Sequence, residues 1–186
     1  TKISRIRSPD FASNSKLFGE GGFPIDVIIY PEQSVTEQIS RLLDYPGSLQ
    51  VLDFAGGRVQ LVAVKAYYGG PMVGEELQVI RKHMPGVDTR VAAIFRRGQA
   101  ILPEGDTVVE VGDEVFFIAA REHIRQVMGE LRKLDNKYKR IIIAGGGNIG
   151  HRLASNIEGR FNVKLIEKDY DRCRFLSEDL KRTIVL

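Results

Sequence analysis

At 186 residues, 43% hydrophobic and 27% charged, the sequence has the balance of a globular protein of one or two domains, with enough chain to bury a real core. Its net charge of +3 comes from lysines and arginines interspersed with acids, so no block of like charge marks a nucleic-acid-binding tail. A single cysteine excludes an intramolecular disulfide, and the longest apolar runs, such as VFFIAA, fall far short of the ~20 residues of a membrane-spanning helix.

The first piece of the chain runs from residue 1 to 47. KISRIRS predicts a short strand ended by Pro9, and DFASNSKLF a helix with Asp10 at its N-cap. IDVIIY predicts a fully buried strand of the continuous apolar kind found in parallel sheets, which completes a β-α-β unit. Pro31 suits the first turn of a second helix, which would carry Val35, Ile39, Leu42 and Leu43 on one face. YPGS stops that helix, and a domain boundary follows Gly47.

The second piece, 48–136, changes character. LQVLDF, VQLVAVKAY, TRVAAIF, QAIL and DEVFFIAA are short β-type runs, separated by the turn signals Gly56-Gly57, Gly69-Gly70-Pro71, Pro85-Gly86, Gly98, Pro103 and Gly105. A helix over GEELQVIRKHM interrupts them, and another over REHIRQVMGELRKL closes the piece. This is an α+β pattern.

The third piece, 137–186, alternates: strand RIIIA, helix NIGHRLASNIEG, strand VKLIEKD, helix DYDRCRFLSEDLK, strand TIVL. Such alternation predicts parallel β-α-β pairing. A doubly wound sheet of five or six strands needs about twice this material, so the piece is half of an α/β domain.

Gly145, Gly147 and Gly150 stand at G-x-G-x-x-G spacing between a predicted apolar strand and an amphipathic helix. The first glycine permits a tight turn, the second lets backbone approach a pyrophosphate, and the third lets helix and strand pack closely. Asn148 and Ile149 open the helix, whose free N–H groups and positive dipole favour an anion. Glu167, at the end of the next strand, is placed to accept hydrogen bonds from ribose hydroxyls, which favours NAD(H) over its 2′-phosphorylated form. Lys168 and Arg172 could instead counter a phosphate, and ATP or ADP would use the same turn, so the nucleotide stays open. Arg7, and less directly Arg5, end the first predicted strand, where an arginine can either pair with a phosphate or stand solvated.

Other chemistry is sparse. His83, His123 and His151 are dispersed, each on a predicted helix, and no Ser–His–Asp set, H-E-x-x-H or paired cysteine spacing occurs. Cys173, with Leu176 and Leu180 at i+3 and i+7, reads as a buried core thiol in a reducing compartment.

LVAVKAYYGGPMVGEELQVIRKHMP followed by TRVAAIFRRGQAILPEGDTVVEVGDEVFFIA resembles the C-terminal lobe of RCK domains, the family that regulates potassium conductance. The order is a Gly-Pro turn into a short helix, an RxG hairpin, a PxGDT turn and a GDEV strand. With ISRIRSPDF before it and RIIIAGGGNIG after it, the similarity covers nearly the whole chain and extends to cytoplasmic regulatory subunits of bacterial potassium-uptake systems.

The resemblance implies two tandem repeats, each a Rossmann-like N-lobe and a smaller C-lobe. Residues 1–47 would be the C-terminal part of the first N-lobe plus its crossover helix, 48–136 an α+β RCK C-lobe, and 137–186 the N-terminal half of a second N-lobe. The whole would be a middle piece of such a subunit, α/β and α+β, with partial Rossmann-like parallel sheets. Gly145, Gly147, Asn148, Ile149, Gly150, Glu167 and Lys168 would form the second-repeat nucleotide site, while Arg7 and Arg5 would reach phosphates of the first. The implied cofactors are NAD(H) or ATP/ADP. The implied partners are a membrane potassium channel or transporter subunit of Trk type and further copies of the chain, reached by the helix from Pro31, at the inner face of the cell membrane. No nucleic acid and no catalysis are implied. The competing function is an NAD-dependent oxidoreductase, which would need a proton donor or acceptor that this segment does not supply.

Overall fold

Parallel and antiparallel sheets occupy different parts of the chain, following the spacing of its turn residues. The computed structural model describes residues 1–6 and 22–186. Arg7 and the predicted helix DFASNSKLF lie outside the described residues. Two compact units divide the chain, one made of Thr1–Ser40 and Tyr138–Leu186, the other of Arg41–Lys137.

In the first segment, β1 (Ile3–Arg5) pairs in parallel with β2 (Val27–Ile29), with Ser4 opposite Ile28. Val27 and Ile29 remain exposed, in contrast to the fully buried strand that the run of apolar residues predicts. Among the described residues β2 has β1 as its only strand partner, so its apolar side chains find little to cover them. Helix α1 (Pro31–Asp44) begins at the predicted proline. Its most buried residue is Thr36, not Val35, which is exposed. The Thr36 hydroxyl donates to the carbonyl of Glu32 at 2.6 Å, and this internal bond lets a polar side chain be buried.

The unit Arg41–Lys137 contains β3 (Ser48–Phe54), β4 (Val59–Lys65), α2 (Ile80–His83), β5 (Thr89–Arg96), β6 (Gln99–Ile101), β7 (Glu114–Ala120) and α3 (Ile124–Leu131). The strands form one antiparallel sheet in the order β3-β4-β7-β5-β6. Val62 stands opposite both Val51 and Phe117, and Ile94 opposite Val115, so one face presents a continuous apolar layer. Ile124, Val127, Met128 and Leu131 of α3 join that layer in a single buried core. The predicted eleven-residue helix GEELQVIRKHM shortens to a 3-10 turn, Leu77–Val79, and the single turn of α2. Its early amides are committed elsewhere: Leu77 N donates to Thr107 O and Gln78 N to Gly105 O. Asp113, 1% exposed, receives Arg96 Nε and Nη2 at 2.8 Å each and the amide of Glu110 at 2.9 Å. The same guanidinium reaches the Val108 carbonyl and the Glu110 carboxylate, pinning the turn between β6 and β7.

The last segment alternates as predicted: β8 (Arg140–Ala144), α4 (Asn148–Ile157), β9 (Asn162–Ile166), α5 (Tyr170–Asp179) and β10 (Ile184–Val185). All strand pairs are parallel, in the order β10-β9-β8. Leu153, Ala154 and Ile157 of α4 and Leu176 of α5 are buried together with Val163 and Leu165 of β9. Glu158 fastens the approach to β10, accepting hydrogen bonds from the amides of Lys181, Arg182 and Thr183 and from the Thr183 hydroxyl. Among the described residues no helix is long and apolar enough to cross a membrane.

Candidate functional site

The turn between β8 and α4 assigns a different task to each of its glycines. Gly145 has φ +103°, a left-handed conformation that a side chain would strain, and its amide donates to Ile166 O at 2.8 Å. Gly150 stands against the same residue. A Cβ there would lie 1.9 Å from Gly145 O and 3.4 Å from Ile143 Cγ2, so only glycine lets α4 pack this closely on β8. Gly147 is different again. It precedes α4 in an extended conformation, φ −64° and ψ −171°, and a Cβ on it would meet nothing within 4 Å.

The open backbone at Gly147 leads into the free end of α4. The first bond across this end runs from His151 N to Gly147 O at 2.9 Å, so the amides of Asn148, Ile149 and Gly150 precede the intrahelical ladder. Gly145, Gly147, Asn148, Ile149 and Gly150, together with Glu32 and Ile39 of α1, line a cavity of about 490 Å³. A second cavity of similar volume lies over the strands at Arg140, Ile142, Arg182 and Ile184, away from the glycine turn.

A fourth glycine belongs to the turn. Gly146 counts as a free position in the G-x-G-x-x-G pattern, yet a Cβ there would lie 2.4 Å from Leu176 Cδ1 and 3.0 Å from Glu167 Oε2. The third consecutive glycine in AGGGNIG was the available signal. Its amide donates to Glu167 Oε2 at 2.6 Å, and its carbonyl accepts from Arg172 Nε at 2.9 Å.

Glu167 follows β9, and its carboxylate is held firmly. Oε1 accepts the amides of Lys168 at 2.8 Å and Asp169 at 3.0 Å, while Oε2 takes Gly146. These bonds, that from Asp169 foremost, hold its pKa below the usual carboxylate range, so it is ionised at neutral pH. Each oxygen has more than one lone-pair direction, and Oε2 retains acceptor capacity for a hydroxyl.

The remaining candidates are dispersed. Arg172 stacks over Phe175 at 4.8 Å as it holds the loop carbonyl, and the Lys168 side chain is exposed. Arg5 is exposed on β1 and does not line the glycine cavity. The Cys173 thiol is half-buried and donates to the Glu167 carbonyl at 3.2 Å, so it helps shape the site's border instead of filling a core. His151 pairs with Asp179 at 2.7 Å and His83 with Glu130 at 2.9 Å. Among the described residues no group of three or more histidine, cysteine, aspartate or glutamate side chains could hold a metal ion.

Comparison with known proteins places this geometry in context. The TrkA-C domain model matches residues 61–132, and the TrkA-N domain model matches residues 141–186, which include the glycine turn. The Trk system potassium uptake protein TrkA of Halomonas elongata is 59% identical over 186 residues, covering 100% of this chain and 41% of that protein. Its counterpart in Vibrio alginolyticus is 56% identical over 185 residues, covering 99% of this chain and 40% of that protein. The chain thus spans about two fifths of the length of the relatives it matches. Among solved structures, the GsuK channel aligns with a TM-score of 0.52 at 15% identity, over 99% of this chain and 36% of that one. The GsuK RCK domain aligns with a TM-score of 0.50 at 16% identity, over 90% of this chain and 35% of that one. At such identity the likeness shows the fold alone, and that fold is of the RCK type.

Proposed function

Because the chain belongs to the TrkA family, we propose that it is part of a nucleotide-sensing regulatory subunit of a potassium-uptake system. In this reading residues 48–136 form the C-lobe, with N-lobe material in 1–47 and 137–186. The subunit acts at the inner face of the cell membrane, on a channel or transporter subunit of Trk type, as an assembly of several copies. It catalyses nothing. A nucleotide, NAD(H) or ATP/ADP, binds one of two arrangements of the assembly more tightly and so shifts their populations, with ~1–3 kcal/mol of coupling as a usual scale.

The observation that carries the proposal is the open backbone of Gly147, ahead of three helix amides that precede the intrahelical ladder and next to Gly146, whose amide donates to the ionised carboxylate of Glu167. Amides and helix dipole suit the phosphates, and Glu167 suits the adenosine ribose. Arg7 and Arg5 are assigned to the phosphates of a first-repeat nucleotide, and Lys168 to the rim of the second.

Calorimetric titration with NADH, NAD, ATP and ADP tests this directly, alongside a Glu167→Ala variant. Saturable binding weakened by the substitution, with no consumption of NADH over a broad substrate panel, is the expected result. Turnover of NADH would replace the sensor with an oxidoreductase. Absence of binding to the wild type would reduce the glycine turn to a structural corner.

A further inference from the structure

Among the described residues, the cavity at the glycine turn has one ionisable side chain in its lining, and it is an acid. Apart from Glu32, the lining consists of glycine, alanine, isoleucine, leucine and asparagine. Glu32 sits in the first turn of α1, and its Oε2 is shielded from solvent and accepts no hydrogen bond among the described residues. A phosphate on the amides ahead of α4 would therefore share its cavity with a carboxylate, with no lysine or arginine among the described lining residues to offset the pair.

Two opposing terms meet there. Backbone amides and the helix end attract an anion. The carboxylate repels it, and the repulsion grows in proportion to the ligand's charge. The phosphates of a dinucleotide pyrophosphate are each esterified on both sides and ionise once. The terminal phosphate of ADP or ATP is esterified on one side only, and at neutral pH it is largely in its doubly ionised form.

We propose that Glu32 is a specificity-determining residue: a charge filter that favours the dinucleotide over ADP and ATP at the glycine turn. The inference rests on the nucleotide reading above and deepens it by choosing among the nucleotides. A glutamate in a first helical turn also complements the helix dipole of α1, but that role would leave all ligands affected alike.

The test is titration of NADH, ADP and ATP into the wild-type chain and Glu32→Gln, with EDTA present so that the phosphates carry their own charge. The substitution preserves shape and removes the charge. Affinity for ADP and ATP should rise ~5–10-fold, and affinity for NADH only ~2–3-fold, the square root that half the phosphate charge implies. An equal change for all three, or none, would overturn the filter while leaving the nucleotide reading intact. Failure of every nucleotide to bind either protein would overturn both. A measurement on the wild type alone guards against a folding defect. Raising the salt should narrow its preference for NADH over ATP, since screening weakens the repulsion; a preference that does not narrow counts against Glu32.

Discussion

Gly150 faces the carbonyl oxygen of Gly145 so closely that a methyl group added to it would stand 1.9 Å from that oxygen. The obstacle is backbone and cannot rotate away. Gly150→Ala must push α4 off β8, at a cost of roughly 2–4 kcal/mol. Chemical denaturation should show a lowered midpoint at unchanged slope. A variant as stable as the wild type would mean that the turn relaxes at little cost.

Gly147 should behave in the opposite way. Its conformation is open to any residue, and a side chain there meets nothing. Gly147→Val is expected to unfold within about 1 kcal/mol of the wild type, yet to bind nucleotide at least ~10-fold more weakly because the side chain stands where the phosphates approach. Thermal unfolding and titration of the same preparation check both halves.

In the other unit, Asp113 is the buried partner of Arg96. Removing it leaves a guanidinium without its main counter-charge and the Glu110 amide without an acceptor. Asp113→Ala should cost ~3–5 kcal/mol, the range for breaking a buried pair from one side. Asp113→Asn keeps the shape and should recover part of the loss. Equal losses in the two variants would show that charge plays no part.

Acid sensitivity should trace to Glu158. Burial alone would raise its pKa, but the amides of Arg182, Lys181 and Thr183 and the Thr183 hydroxyl outweigh that and hold it below the ordinary carboxylate value. A carboxyl depressed in the folded state stabilises the fold above its unfolded pKa, and loses that contribution as pH falls through the folded value. Glu167 shifts in the same direction. Glu158→Gln should therefore cost roughly 1–2 kcal/mol at pH 7, and the gap to wild type should close as the pH falls below about 4. A gap that persists unchanged at low pH would show that the ionised form is not what the loop requires.

The sequence was most legible where periodicity and turn chemistry agreed. Every strand of the antiparallel sheet and the β-α-β-α-β order of 140–186 could be read from apolar runs between glycines and prolines. The helix over GEELQVIRKHM was overread, because its spacing says nothing of Leu77 and Gln78 donating across to 105–107. Thr36 was missed at the centre of α1, since a hydroxyl bonded within its own helix leaves no apolar mark. At the candidate site, the three patterned glycines and Glu167 were readable from spacing. Gly146 and Glu32 were not: one is hidden by a pattern that ignores its position, and the other lies more than a hundred residues away along the chain.

The position ahead of α4 has one more consequence. A helix start in extended conformation with open space around it is where serine, aspartate or asparagine would close the free amides and strengthen the helix. Glycine forgoes that cap. Gly145 and Gly150 are required by the geometry of the turn, whereas the glycine at 147 is not. It keeps the amides of Asn148 and Ile149 uncovered, at the expense of the helix that carries them.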